Sequence, residues 1–396
     1  MHVQLIRSTD ELHRLAPAWE ELWQADPAAD IFGSPALVIT WCESFCRPSP
    51  TPTLIFHDGD RLRGLEASEA RPHVLVAREG EALLAVLPLV AARVRWRGLP
   101  ARALALPVNG HTMRGGLVAP GANGAGPSSP SAGAPWAAFA RHLAQDPDWD
   151  LLLLEGVPSD SASLAAFLDQ AGEAGIRVSA DPAWTAGYTA ISRTWEDYLA
   201  GRGHNFRKSM RRQARALARH GVVDIERHET PAEVEPAMAV FLEVDRESWK
   251  ASGGESVALH PELSAFYRTL AGRCARQGQA EVWILRVAGE PAAAAFCLRD
   301  RRSLYVYKCS YRERFAEQLS PGFVLVNHIL EDAWSRGFAS VDFLGQTPAI
   351  ERWATHQREL SRLTLFPGRA GASLLRFAEW LHGRMSRPGR AREPGR

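Results

Sequence analysis

The chain has no CxxC pair, and its five cysteines (Cys42, Cys46, Cys274, Cys297, Cys309) are odd in number and scattered. That argues against a disulfide framework and against a zinc site, so no metal is expected, and it suits a reducing cytoplasm. Long apolar runs are also missing, each being interrupted after a few residues, so no segment reads as a membrane span. The opening MHVQLIRSTDELHRL carries a carboxylate at Asp10 and no apolar core of signal-peptide length. Net charge is nearly absent, +1 over 396 residues, so the whole-chain field steers toward neither nucleic acid nor membrane. What is present, 46% hydrophobic and 23% charged residues, is enough for two globular domains of a cytoplasmic protein.

Periodicity gives the elements. Glu11 to Trp23 reads as a helix with Leu12, Leu15, Trp19 and Leu22 on one face, and Pro35 to Phe45 as a second. His73 to Ala77 and Ala82 to Val90 read as a hairpin around Gly80. Residues 107 to 135, rich in Gly, Pro, Ser and Ala, read as a mobile loop. A helix from Trp136, the strand Asp150 to Glu155, a helix from Ser161 and the strand Gly175 to Ser179 follow. The second half shows strands at Val282 to Val287, Ala292 to Leu298 and Ser303 to Cys309. A helix from Gly322 to Ser335 and strands at Ser340 to Leu344 and Leu363 to Phe366 complete it. Alternating strands and helices point to an α/β (α+β) architecture with mixed, mostly antiparallel sheets flanked by helices.

HVLVAREGEALLAVLPL (73 to 89) matches VWILRVAGEPAAAAFCL (282 to 298) in its Gly-Glu turn and flanking strands. Each half then carries a helix followed by an acid-led apolar strand, WDLLLLEG and VDFLG. Two coincidences in one order point to an internal duplication. The expected units are 1–182, 183–368 and a basic tail, 369–396.

Two features bear on chemistry. Ser320-Pro321-Gly322 opens a helix after a strand and loop. Proline suits the first turn, glycine admits a ligand to the backbone, and unpaired amides favour an anion such as a diphosphate. The same tripeptide is also an ordinary helix start. Asp245 falls inside the apolar stripe of Val234, Met238, Phe241 and Trp249, where a carboxylate is costly unless it is functional or ion-paired.

FLEVDRESWKASGG, the GEPAAAAFCL hairpin, Lys308-x-x-Tyr311 leading to Ser320-Pro321-Gly322, and VDFLGQTPAIERWAT stand in this order over residues 188 to 366. Together they resemble the GNAT acetyltransferase superfamily, in the branch shared by CelD-like polysaccharide-biosynthesis proteins and FemAB-like enzymes. The first half resembles a degenerate unit of the same fold. The resemblance implies a V-shaped opening between the strands Ser303 to Cys309 and Ser340 to Leu344, with acetyl-CoA or another acyl-CoA between them. Its diphosphate would rest on Gln318, Leu319, Ser320, Pro321, Gly322 and Phe323. Asp245, Tyr307 and Asp342 are the implied catalytic candidates, and Trp249, Lys250, Lys308 and Trp353 the acceptor-binding ones. Strand alternation puts Tyr307 and Lys308 on opposite faces. The branch's Tyr-Lys before its tryptophan is replaced here by Ala349 and Ile350.

Three functions follow from the resemblance. The first is direct acyl transfer from a CoA thioester to an amine or hydroxyl of a sugar or cell-envelope precursor. The second changes the donor to aminoacyl-tRNA, and the third is a non-catalytic accessory subunit of a polysaccharide-producing complex. RGHNFRKSMRRQARALARHG is a basic helix suited to a phosphorylated ligand or to solvent, and no RNA-binding motif accompanies it. Leu374, Leu375, Phe377, Ala378 and Leu381, among arginines, form a basic amphipathic patch. It suits an anionic membrane, a partner complex or its own domain.

Overall fold

In the computed structural model, Ser8 and Glu11 cap each other's amides and so start helix α1 (Thr9–Ala25) after strand β1 (His2–Ile6). Ser34 caps α2 (Pro35–Phe45), with proline at the first turn, where no amide is needed. The structure describes residues 1–46, 54–58, 61–65, 67–120, 133–181, 183–315, 319–369 and 372–385.

The chain divides into two compact units, Met1–Trp184 with Glu359–Arg396, and Thr185–Arg358. In the first, β2 (Leu54–Asp58) and β3 (Arg61–Leu65) pair as a separate ribbon. A meander of β4 (Ala67–Glu79), β5 (Ala82–Trp96) and β6 (Leu99–Ala105) forms the main sheet. Helix α3 (Ala134–Gln145), β7 (Leu151–Pro158), α4 (Ala162–Glu173) and β8 (Arg177–Ala180) follow. β1 lies antiparallel to β4, and β7 joins β6 in parallel over only three residue pairs. Trp136, Phe139, Trp149 and Phe167 fill the core beneath Leu75 and Leu87.

The second unit takes up the chain from β9 (Trp184–Ala190), through α5 (Trp195–Gly201), α6 (His204–Ala218) and β10 (Val223–His228). Next are α7 (Pro231–Arg246), α8 (Trp249–Ser252) and α9 (Pro261–Arg276). The strands β11 (Ala280–Val287), β12 (Glu290–Arg299) and β13 (Ser303–Tyr311) lead to α10 (Pro321–Ser335) and β14 (Ser340–Asp342). The sheet order within it is β9-β14-β13-β12-β11-β10. Here β10 lies antiparallel to β11, a meander runs to β13, and β14 joins β13 in parallel over three residue pairs. Strand for strand this repeats β1, β4, β5, β6 and β7. The chain is a duplicated fold of two mixed α/β units.

Four expectations are corrected. β15 (His356–Phe366) pairs with β7 and β8, so residues from Glu359 onward, including α11 (Ser373–Met385), belong to the first unit rather than to the second or to a separate tail. β14 stops at Asp342, because the Asp342 carboxylate accepts the Leu344 amide at 2.9 Å and Leu344 turns to φ +59. Residues 107–120 are packed rather than mobile: Leu117, Val118 and Ala119 are buried, and Val118 bridges to Val86. Residues 121–132 of that stretch lie outside the described ones. The two hairpin turns also differ by one residue, Gly80 being the first turn residue and Gly289 the second. Among the described residues, no helix is long and apolar enough to cross a membrane.

Candidate functional site

β13 and β14 pair at Ser303 with Ser340, Leu304 with Val341 and Tyr305 with Asp342, and there the pairing stops. β13 runs on for six residues to Tyr311 with no partner strand on that edge among the described residues. β14 is paired along all three of its residues, and past Asp342 the chain stays with β9, Phe343 donating to the Gly187 carbonyl at 3.1 Å and Gly187 to the Gly345 carbonyl at 2.8 Å. It thus leaves β13, whose edge from Val306 to Tyr311 has no strand to pair with among the described residues. α10 starts beside this opening. Its first amide to bond back is that of Val324, to the Ser320 carbonyl at 3.1 Å; the amides of Gly322 and Phe323 have no acceptor among the described residues. Ser320 makes no side-chain cap, so among the described residues these donors meet no acceptor. Leu319, Pro321, Gly322 and Phe323 are buried and Ser320 half-buried. The Tyr311 ring packs so closely on Gly322 that a Cβ there would lie 2.9 Å from it. Gln318 lies outside the described residues.

A kink in β13 sets the side chains. Phe296 of β12 pairs with Lys308, but Cys297 pairs with Val306, so Tyr307 is the extra residue of a bulge. The bulge cancels the alternation that put Tyr307 and Lys308 on opposite faces. Both now meet the Tyr267 ring of α9: the Tyr307 ring centroid is 5.9 Å away and the Lys308 ammonium 5.9 Å above it.

Asp245, 1% exposed, anchors this face. One carboxylate oxygen accepts the Ser256 hydroxyl at 2.7 Å and the Ala258 amide at 3.2 Å; the other accepts the Ser310 hydroxyl at 2.6 Å. Lys250 Nζ stands 3.9 Å from Asp245 and donates to the Cys309 carbonyl at 2.7 Å and the Ser310 hydroxyl at 2.9 Å. The charge is thus buried with partners on both oxygens, the arrangement that makes burial tolerable. Lys308 is different. Its amine donates no hydrogen bond among the described residues, and desolvation, then the Lys250 charge, bring it down to about 8 against the pull of Asp245 and Glu255. Burial pushes the Tyr307 phenol well above its usual range and the Cys309 thiol up to about 11. Ser256 and Ser310 escape a reading of the sequence; a serine carries no signal until the fold aims it at a carboxylate.

The other candidates are placed elsewhere. Asp342 is buried, pairs with Arg358 at 3.5 Å and holds the turn after β14. Trp353 stacks on Phe323 and Phe343, and its indole N–H donates to Asn327 at 3.2 Å, so it packs the core under the start of α10. Trp249 opens α8 and is 46% exposed.

Next to α10 lies a cationic surface. Phe206 of α6 meets Phe323 edge-on at 5.6 Å, and the Arg352 guanidinium lies 4.3 Å over the Phe323 ring. A cleft of about 490 Å³ opens here, lined by Arg202, Lys208, Ser209, Arg212 and Arg352. A second, of about 680 Å³, follows along α6 past Arg207, Arg211, Arg215 and Arg219, sharing Lys208 and Arg212 with the first. The side chains of Lys208, Arg211, Arg212, Arg215 and Arg219 make no hydrogen bond or ion pair among the described residues. Elsewhere in this unit Arg227, Arg286, Arg312 and Arg336 are all paired with carboxylates.

Residues 204–354 match the family model described as an acetyltransferase (GNAT) domain. No curated protein sequence matches the chain. Among solved structures, FemX is similar at TM-score 0.58 and 11% identity, over 94% of this chain and 99% of that one. A conserved protein of unknown function from Bacteroides thetaiotaomicron is similar at 0.51 and 12%, over 92% of this chain and 100% of that one. At these identities the likeness is one of fold.

Proposed function

We propose, from the match of residues 204–354 to the acetyltransferase (GNAT) domain model, that the second unit transfers an acyl group from a CoA thioester to an amine or hydroxyl, on a sugar or cell-envelope precursor. The observation that carries this reading is the free edge of β13 beyond Tyr305, beside the amides of Gly322 and Phe323 that have no acceptor among the described residues. A slot between strands takes an extended thioester arm, a free strand amide polarises its carbonyl, and helix amides receive the diphosphate. The cations of α6 lie where further phosphate charge would fall.

The thioester is already activated, so the protein must orient the acceptor and move one proton. The acceptor nitrogen or oxygen attacks the carbonyl carbon, the C–S bond breaks, and the acceptor's proton ends on the departing sulfur. Asp245, with both oxygens engaged, serves as the anchor of α7, α8 and β13. Lys308, neutral above about 8, takes the proton. Its ammonium then matches a thiol, with its usual value near about 8.5, and passes the proton on. A phenol held well above 10 gives up its proton less readily than the thiol does, so Tyr307 shapes the pocket instead.

A second reading, aminoacyl-tRNA as donor, is favoured by the run of cations along α6 with no ion pair among the described residues, the 15 residues of the helix extending farther than one diphosphate needs. Thermal shift separates the two: acetyl-CoA is expected to raise the melting temperature and uncharged tRNA to leave it unchanged. Thioester consumption against a panel of amino sugars, with Lys308→Ala as control, then tests transfer. No shift and no turnover with any acyl-CoA sinks the first reading.

A further inference from the structure

One face of α11 is held against the first unit. Leu375 and Glu379, four residues apart, are buried. The Glu379 carboxylate is held by the Arg97 guanidinium at 3.1 and 3.3 Å, and Arg97 itself sits over the Trp96 ring at the turn between β5 and β6. A further hold lies just before the helix, where Arg369 donates to the Asp146 carbonyl at 2.7 Å. The outward face carries Leu374, Phe377 and Trp380, which are 62%, 56% and 52% exposed. These recur at three-residue spacing, and the two aromatic rings stack at 5.7 Å. Large side chains of this kind are normally buried, and here the helix holds three of them outward while its polar Glu379 points in.

The sequence around and beyond this face is strongly basic. From residue 369 to the end there are seven arginines against two glutamates, although the whole chain nets only +1. Glu379, one of those two, is already neutralised by Arg97. An aromatic and leucine face followed by arginines is the pattern of a helix lying in a membrane interface. There Trp and Phe enter the headgroup and acyl boundary while arginines meet lipid phosphates.

We propose that α11 docks the protein on an anionic phospholipid surface, with Leu374, Phe377 and Trp380 inserted and the net positive charge of this arginine-rich sequence supplying the attraction. A second copy of the chain fits less well. Three half-exposed side chains offer on the order of 300 Å², well below the roughly 800 Å² per partner of a stable dimer, and pairing would bring two basic tails together. The inference stands apart from the acyl donor, since the helix belongs to the first unit and the transfer site to the second.

Co-sedimentation of the full chain with vesicles of phosphatidylcholine alone, and with phosphatidylglycerol added, tests it. Binding to the anionic vesicles is expected to be at least about tenfold stronger and to weaken in high salt. Phe377→Ser with Trp380→Ser is expected to reduce it about tenfold or more, with an unchanged circular dichroism spectrum and melting temperature. Should that pair disturb folding, Arg387→Gln with Arg390→Gln and Arg392→Gln, all beyond α11, is expected to lower binding to anionic vesicles alone. Equal binding to both vesicle types, binding indifferent to both sets of substitutions, or a concentration-dependent dimer abolished by the serine pair would overturn the proposal.

Discussion

At the scale of single residues, the sharpest contrast is between the buried Asp245 and the half-buried Lys308 on one face of the second unit. Asp245 is conspicuous in the sequence because it interrupts an apolar stripe, and the structure surrounds it with Ser256, Ala258, Ser310 and Lys250. Lys308 reads as an ordinary strand lysine, yet it is the group left without a hydrogen-bond partner among the described residues. Groups face it from three elements: Lys250 of α8, Asp245 of α7 and Tyr267 of α9, with Glu255 in the loop after α8. If its neutral amine accepts the proton, kcat/KM rises with pH through about 8 and then levels. Lys308→Ala is expected to lose about a hundredfold or more in turnover and that inflection with it. A pH–rate profile of both proteins checks this; an unchanged inflection in the variant assigns it to another group. Stability moves in a fixed direction too. Between about 8 and the ordinary lysine value the unfolded chain holds a proton that the folded one has released, so this group favours folding more as pH rises through that window. Denaturant titrations of the native chain and Lys308→Met across it are expected to converge as pH increases.

At the scale of elements, what was legible was local. The serine-proline start of α2, the hairpins around Gly80 and Gly289 and the helix after Ser320 follow from turn chemistry and periodicity, which neighbours in sequence determine. What was not legible depended on partners. β6 escaped notice because Pro100 and Arg102 interrupt its apolar pattern, LPARALA, which pairing with β5 accommodates. The bulge at Tyr307 is a mismatch in register between two strands, and only the pair contains it. Helix α6 was legible as basic, but its lack of carboxylate partners among the described residues was not, since that is decided by what folds beside it. Its charge yields a test of its own. Arg211→Ser, Arg212→Ser and Arg215→Ser together remove cations with no ion pair among the described residues. Melting temperature is therefore expected to stay within about a degree or two, as for ordinary surface changes. Affinity for the phosphorylated donor is expected to fall about tenfold or more, and its salt dependence to flatten. Isothermal titration at two salt concentrations reads both, and an unchanged affinity would make α6 a solvated face.

For the whole molecule, the duplication was visible because both copies keep the same order of hairpin, helix and acid-led strand. The limits of the units were not, because the chain leaves the first unit at residue 184 and returns to it at 359. The late strand β15 gives its hydrogen bonds to β7 and β8, nearly two hundred residues upstream in sequence. Nothing in its own composition names that partner. Ending the chain after Arg358 would remove this strand from between two others and take Leu360, Leu365 and Phe366 out of the core. At roughly 2 kcal/mol for each such side chain, before the lost ladder of hydrogen bonds is counted, the deletion approaches the whole stability of a typical domain, about 5–15 kcal/mol. It would also strip Arg97 of Glu379. A chain ending at Arg358 is therefore expected to present a first unit that is open to protease, while a fragment containing residues 204–354 survives digestion. Calorimetry of the same chain is expected to lose the transition belonging to the first unit. If both units instead resisted digestion, β15 and α11 would be an appendage, and the boundary after residue 182 would mark two sequential domains.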